Sequence, residues 1–179
     1  MTRVRKTLIC SLGAFGVLAA LWGCNGTNID DPTKSDSVLV IDSVEPASVQ
    51  ADVSPSTDPI TMLMVPPADD TVTVKVRNVN RTQGSSGVFG DILLNTFDVA
   101  CSKGSLNSSN NPSSLTIQAE SSADISVLVA AGPFKEANSG LLLAFGTDLC
   151  EITFNGVDLS GDAIISKKAV FGVSFVNTP

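Results

Sequence analysis

In the segment Thr71-Val-Thr-Val-Lys-Val-Arg77, apolar and polar side chains alternate without a break. Successive residues of a strand point to opposite faces, so Val72, Val74 and Val76 share one face and Thr73, Lys75 and Arg77 the other. Strict period-two alternation of this kind predicts a half-buried antiparallel strand with its core on one side and water on the other. Related apolar runs fall at 37–44, 60–65, 91–101, 114–119, 124–131, 149–155, 163–166 and 168–176. Turn-forming clusters separate them, among them Gln83-Gly-Ser-Ser-Gly87 and Lys103-Gly-Ser-Leu-Asn-Ser-Ser-Asn-Asn-Pro112. Eight or nine short strands with few helix signals predict an all-β, antiparallel two-sheet sandwich over residues 37–179. The one helix signal is a short turn at Pro133-Phe-Lys-Glu-Ala137, and no repeat period points to a propeller or solenoid.

The N-terminus obeys different rules. Arg3, Arg5 and Lys6 precede an uncharged apolar run from Leu8 to Leu21. That run is shorter than the about 20 residues a membrane-spanning helix needs, and its layout is that of a secretory signal. It ends in Leu21-Trp22-Gly23-Cys24, which resembles the lipobox of bacterial lipoproteins. The resemblance implies cleavage before Cys24 and acylation of its thiol, with Trp22 as the departure from the usual small or medium residue. Residues 1–23 are then the signal peptide, and Cys24 with the polar stretch to Asp36 forms a lipidated, flexible tether. Two or three acyl chains make a stable anchor, at about 0.8 kcal/mol per buried methylene. Asn25 after the cysteine implies sorting to the outer membrane by the rule of enteric bacteria. The expected location is the cell envelope, lipid-anchored, facing either the periplasm or the exterior.

Loss of residues 1–23 leaves eight basic against 18 acidic residues, a net charge of −10. So acidic a chain, without a basic cluster, lacks the electrostatic footprint of a nucleic-acid binder. It is also repelled by anionic lipid, so its membrane partnership has to run through the acyl anchor. Another envelope protein is the remaining partner class. Of the four cysteines, Cys10 leaves with the signal and Cys24 takes the lipid. Cys101 and Cys150 remain as an even pair in an exported chain, for which a disulfide is the default. Such a bond closes a loop of about 50 residues and contributes about 4 kcal/mol in the chain-entropy model. Two buried free thiols are the alternative, and a metal site on two cysteines without histidine is a weaker one.

The stretch Phe154-Asn-Gly-Val-Asp158-Leu-Ser-Gly-Asp162-Ala-Ile164, followed by Ala169-Val-Phe-Gly-Val-Ser-Phe175, resembles the closing hairpin and last strand of bacterial immunoglobulin-like domains. The resemblance covers about the last 30 residues and implies an immunoglobulin-like sandwich. The chain departs from the strict family pattern in having no tyrosine for a tyrosine corner and no tryptophan outside the signal.

Chemistry is constrained by what is missing. The sequence contains no histidine, which removes Ser-His-Asp and Cys-His arrangements and histidine-based zinc sites. Ser166-Lys167-Lys168 lacks the spacing of a Ser-Lys dyad, and the lysines read as a solvent-facing turn. Glu120 with Asp124, and Asp148 with Glu151, are the carboxylate pairs close enough in sequence to consider for glycoside hydrolysis. Acidic residues at turns are usually just solvated. Sugar sites also favour aromatic platforms, and Phe97, Phe154, Phe171 and Phe175 read instead as core. Asp158 and Asp162 share one turn and are weak candidates for a calcium site, with Asp69-Asp70 or Asp30-Asp31 as further oxygen donors. The alternating ligands of an EF-hand are absent, and an Asp-x-x-Gly turn has conformational reasons of its own. Asn80-Arg-Thr82 and Asn107-Ser-Ser109 match the glycosylation triplet, which carries little weight in a bacterial lipoprotein.

The sequence therefore predicts a lipid-anchored cell-envelope protein, non-enzymatic and without a cofactor, acting as a binding or structural module. Sheet edges and the loops at 81–90 and 103–113 are its expected contact surfaces. A calcium-dependent adhesive module is the alternative, and a polysaccharide hydrolase using a carboxylate pair the second.

Overall fold

A computed structural model describes residues 35–81, 90–159 and 161–178. Its β-strands are β1 (Ser37–Glu45), β2 (Ser48–Asp52), β3 (Ser56–Thr57), β4 (Met64–Val65), β5 (Asp70–Asn80), β6 (Ile92–Cys101), β7 (Ser108–Ile117), β8 (Ser122–Ala130), β9 (Thr147–Asp158), β10 (Ala163–Ile165) and β11 (Ala169–Val176). Two short helices, α1 (Gly132–Ala137) and α2 (Ser139–Phe145), lie between β8 and β9.

The strands form an all-β sandwich. One sheet has the order β1-β5-β8, and the other β2-β11-β9-β6-β7 with β10 added on β9. β3 and β4 form a separate two-stranded ladder. Val72, Val74 and Val76 of β5 are completely buried, as the alternation requires. They join one core cluster with Ile125 and Val127 of β8, Leu94 of β6, Ile152 and Phe154 of β9, and Phe171 and Val173 of β11. Phe175 is also buried, and Phe97 packs partly buried against the cluster. In β6 a register shift between Leu94 and Thr96 moves the buried set from Ile92 and Leu94 to Val99 and Cys101. An extra residue at that bulge changes the strand's phase, so one strand buries both even and odd positions.

Several expectations need correction. The sheets are not wholly antiparallel, because β2 runs parallel to β11, with Val49 opposite Val173. β1 and β2 are one chain segment that changes sheets at Pro46, so β2 reaches β11 still running in the direction of β1. The run 60–65 is not a core strand; only Met64 and Val65 pair, and the whole run is exposed. Half of the expected loop at 103–113 is strand, since β7 starts at Ser108 and carries Pro112. Proline is tolerated there because β7 is an edge strand. Finally, Ser139–Phe145 forms a second helix for which no signal was read.

The sandwich has two poles. Ser37 pairs with Asn80 at the end of β5, and its hydroxyl is hydrogen-bonded to both the N–H and the carbonyl of Gly90. The β3–β4 ladder precedes Asp70 at the start of β5. Eleven residues of β5, at about 3.3 Å each, separate the point where the chain enters the domain from the pole bearing that ladder.

Candidate functional site

At the entry pole, β9 and β10 make a hairpin with Val157 opposite Ala163. Asp158 is 5% exposed, and its Oδ1 accepts the N–H of Asp162 at 2.9 Å. The main chain closes the same turn, with Asp158 N–H donating to Asp162 O and Gly161 N–H to Asp158 O. Gly161 has φ +88°, a region that glycine enters without strain. Gly156, two residues before the turn, has a different role. It sits within β9, where an added Cβ would lie 2.5 Å from the carbonyl oxygen of Leu93 on β6. Glycine is needed there for close approach of two strands. The candidate calcium ligands Asp158 and Asp162 are thus brought together as the two ends of a self-capped turn. Asp69 and Asp70 lie at the other pole and cannot add oxygens, while Asp30 and Asp31 fall outside the described residues.

At the opposite pole, Cys101 and Cys150 form a disulfide between directly opposite residues of β6 and β9. It staples neighbouring strands of one sheet, not the two sheets to each other. Beside it, Asp148 accepts hydrogen bonds from the hydroxyls of Ser102 and Ser105 and from the N–H groups of Lys103, Ser105 and Leu149. Burial alone would push this carboxyl up. The hydroxyls of Ser102 and Ser105 and the N–H groups of Lys103 and Leu149 outweigh it and hold the pKa at about 2. The two sulfurs and a carboxylate oxygen of Asp148 lie within 4.8 Å of one another. Both sulfurs are used in the disulfide and the carboxylate caps the 102–105 turn, so the grouping serves structure.

The candidate acids Asp148 and Glu151 are not brought together. Asp148 is buried, while Glu151, three residues on, lies on the other face of β9 and pairs with Lys168. Positions three apart on a strand necessarily face opposite ways. Glu120 occupies a left-handed turn with φ +57°, and Asp124 stands exposed on β8 across from Lys75. Ser166 is buried, its hydroxyl accepting the N–H of Phe154, while Lys167 and Lys168 are exposed as expected. Cys24, the tether 24–34 and most of the 81–90 loop lie outside the described residues.

Two features of the far pole escaped the reading of the sequence. Lys135 of α1 is 1% exposed and meets Asp70 at 2.5 Å, tying the helix to the start of β5. Gly132 donates its N–H to Asp69 Oδ1 beside it. The second feature is the β3–β4 hairpin. Asp58 Oδ1 accepts the N–H groups of Ile60 and Thr61, which hold the carboxyl below its ordinary value. The tip so fixed displays Ile60, Met62, Leu63, Met64 and Val65 to solvent. Its signal in the sequence is an apolar run without alternation, between Pro59 and Pro66-Pro67.

No family model matches the chain, and no curated protein is significantly similar to it.

Proposed function

We propose that this protein is a lipid-anchored cell-envelope module that binds a partner without catalysing a reaction. The observation that carries the reading is the placement of an exposed apolar run. The described chain enters the sandwich at Ser37, and the exposed apolar run 60–65 stands toward the opposite end of β5. Exposed apolar side chains held in a defined hairpin support a binding role. Among the described residues no helix is long and apolar enough to cross a membrane. Attachment in this reading is through Cys24. The acidic residues considered for hydrolysis are divided between faces or engaged in turns, which supports a binding role over an enzymatic one.

The test is Cys24→Ser in the full chain, expressed in a bacterial host that processes lipoproteins. Wild type should incorporate labelled acyl chains and fractionate with membranes. The variant should take up no label and either leave the membrane or remain as the longer, unprocessed precursor. A wild-type protein that takes up no acyl label, with a variant of identical size and fractionation, would overturn the anchor.

A further inference from the structure

Lys135 of α1 is the one buried basic side chain among the described residues, at 1% exposure. An ammonium carries three N–H donors, and here a single acceptor meets them, Asp70 Oδ2 at 2.5 Å. Neither side chain has another partner among the described residues. Lys168 and Glu151 approach as closely, but they are 63 and 35% exposed, so water solvates both ions. The two pairs share a distance and differ in enclosure.

The backbone around the enclosed pair leaves it little freedom. A Cβ on Gly132 would lie 1.8 Å from the carbonyl oxygen of Pro67, so the start of α1 and the chain leading into β5 are in direct contact. Gly132 also donates its N–H to Asp69 Oδ1 at 2.7 Å. One turn further along the helix, Lys135 reaches Asp70. Three successive contacts therefore hold the amine of one segment against the carboxyl of the other.

We propose that Lys135 and Asp70 condense to an intramolecular isopeptide bond, with the ion pair as its reactant state. Two ions removed from water are costly to hold, and one proton passed from ammonium to carboxylate leaves a neutral amine and a neutral acid in contact. The amine lone pair adds to Asp70 Cγ and forms the Nζ–Cγ bond. A proton then moves from Nζ to a hydroxyl of the tetrahedral intermediate, the Cγ–O bond breaks, and water leaves. Nothing is oxidised or reduced. A nitrogen hydrogen-bonded to a carboxyl oxygen already stands near the about 3–3.5 Å from the carbon that such a reaction requires. Groups held in this way behave as if at about 10⁵ M or more, which favours the amide over its hydrolysis. Asp70, 17% exposed, leaves the water a way out. The product has one N–H where the ammonium had three, which suits a pocket offering one acceptor. The bond spans 65 residues and ties α1 covalently to the start of β5. It is independent of the lipid anchor and of any partner.

The test is peptide mapping by mass spectrometry of the full chain, purified folded from a bacterial host, then denatured, reduced, alkylated and digested with trypsin. Wild type should give a branched peptide joining the Asp70 and Lys135 segments, lighter by one water than the two linear peptides together and uncut after Lys135. Lys135→Arg keeps the positive charge without the amine, and Asp70→Ala removes the carbon that is attacked. Both variants should give linear peptides only. Lys168 and Glu151 should stay unlinked throughout. The bond is read directly in wild type, so a variant that fails to fold cannot mask it. Linear peptides alone from wild type, with cleavage after Lys135, would overturn the proposal and leave the contact an ion pair. A branched peptide that persists in either variant, or a link between Lys168 and Glu151, would overturn it equally.

Discussion

Two hairpins at opposite poles use the same local device with different results. In each, an aspartate near the start of the turn accepts main-chain N–H groups: Asp58 from Ile60 and Thr61, Asp158 from Asp162. Asp158 is nearly inaccessible, and its strands continue into a six-stranded sheet. Asp58 closes a ladder of two residue pairs that joins neither sheet. An aspartate cap therefore specifies a turn but not its stability, which comes from the sheet and core behind it. The hairpin without such support is the one free to spend its apolar side chains on a partner.

The sharpest way to break this contrast is Gly156→Ala. The new Cβ meets the Leu93 carbonyl at 2.5 Å, across the β6–β9 pair that carries most of the larger sheet. Strand backbone cannot yield as a flexible side chain would, so the substitution should cost about 3 kcal/mol, read from urea unfolding. A loss within experimental error would show that β6 and β9 can separate there, and that the anchored hairpin is less firmly built than described.

A smaller effect compares the caps directly. Asp158→Ala strands the partly buried Asp162 N–H and should cost about 1 kcal/mol. Asp58→Ala should leave the global unfolding midpoint unchanged and raise hydrogen exchange only at Ile60 and Thr61. The Asp158→Ala loss should be the same in millimolar calcium as in chelator. A melting point that rises with calcium in wild type but not in the variant would make the 158–162 turn a metal site. Equal effects of the two alanine substitutions on the midpoint would erase the distinction between the hairpins.

The smallest effect is read by acid. Asp148 has its pKa lowered to about 2, whereas an unfolded aspartate titrates near 3.9. Its stabilising contribution is therefore complete above about pH 4 and lost as pH falls toward 2, because the unfolded chain takes up the proton first. Urea midpoints should decline over that window, and Asp148→Asn should flatten the decline. Asp52, held at about 2 chiefly by the Thr178 hydroxyl and the Ser54 N–H, adds to the same slope. Protonation of Asp58 should loosen its tip without contributing to the global midpoint. A slope unchanged by Asp148→Asn would remove Asp148 from the groups that hold the far pole together.

Much of this molecule was legible wherever the information is local. Alternation placed Val72, Val74 and Val76 in the core, and the aromatic strand positions Phe154, Phe171 and Phe175 beside them. The spacing of Asp158, Gly161 and Asp162 disclosed a self-capped turn. The parity of 148 and 151 was equally available. It separates that acid pair as soon as β9 is known to begin at Thr147, two residues before the apolar run suggested. The bulge at Leu94–Thr96 was hidden, because an inserted residue changes the phase without changing the composition.

By itself the sequence determined most of the strands, the faces they bury where alternation is unbroken, and which two cysteines were available to pair, since side-chain alternation and turn chemistry act over a few residues. Tertiary structure alone decided which strands are neighbours. It set β2 parallel to β11, joined Cys101 to Cys150 within one sheet, and buried Lys135 against Asp70. It also decided the fate of residues 60–65, whose hydrophobicity is as strong as that of any core strand. Burial depends on whether a second layer is there to cover a face, and at that pole of the molecule none of the described strands does so.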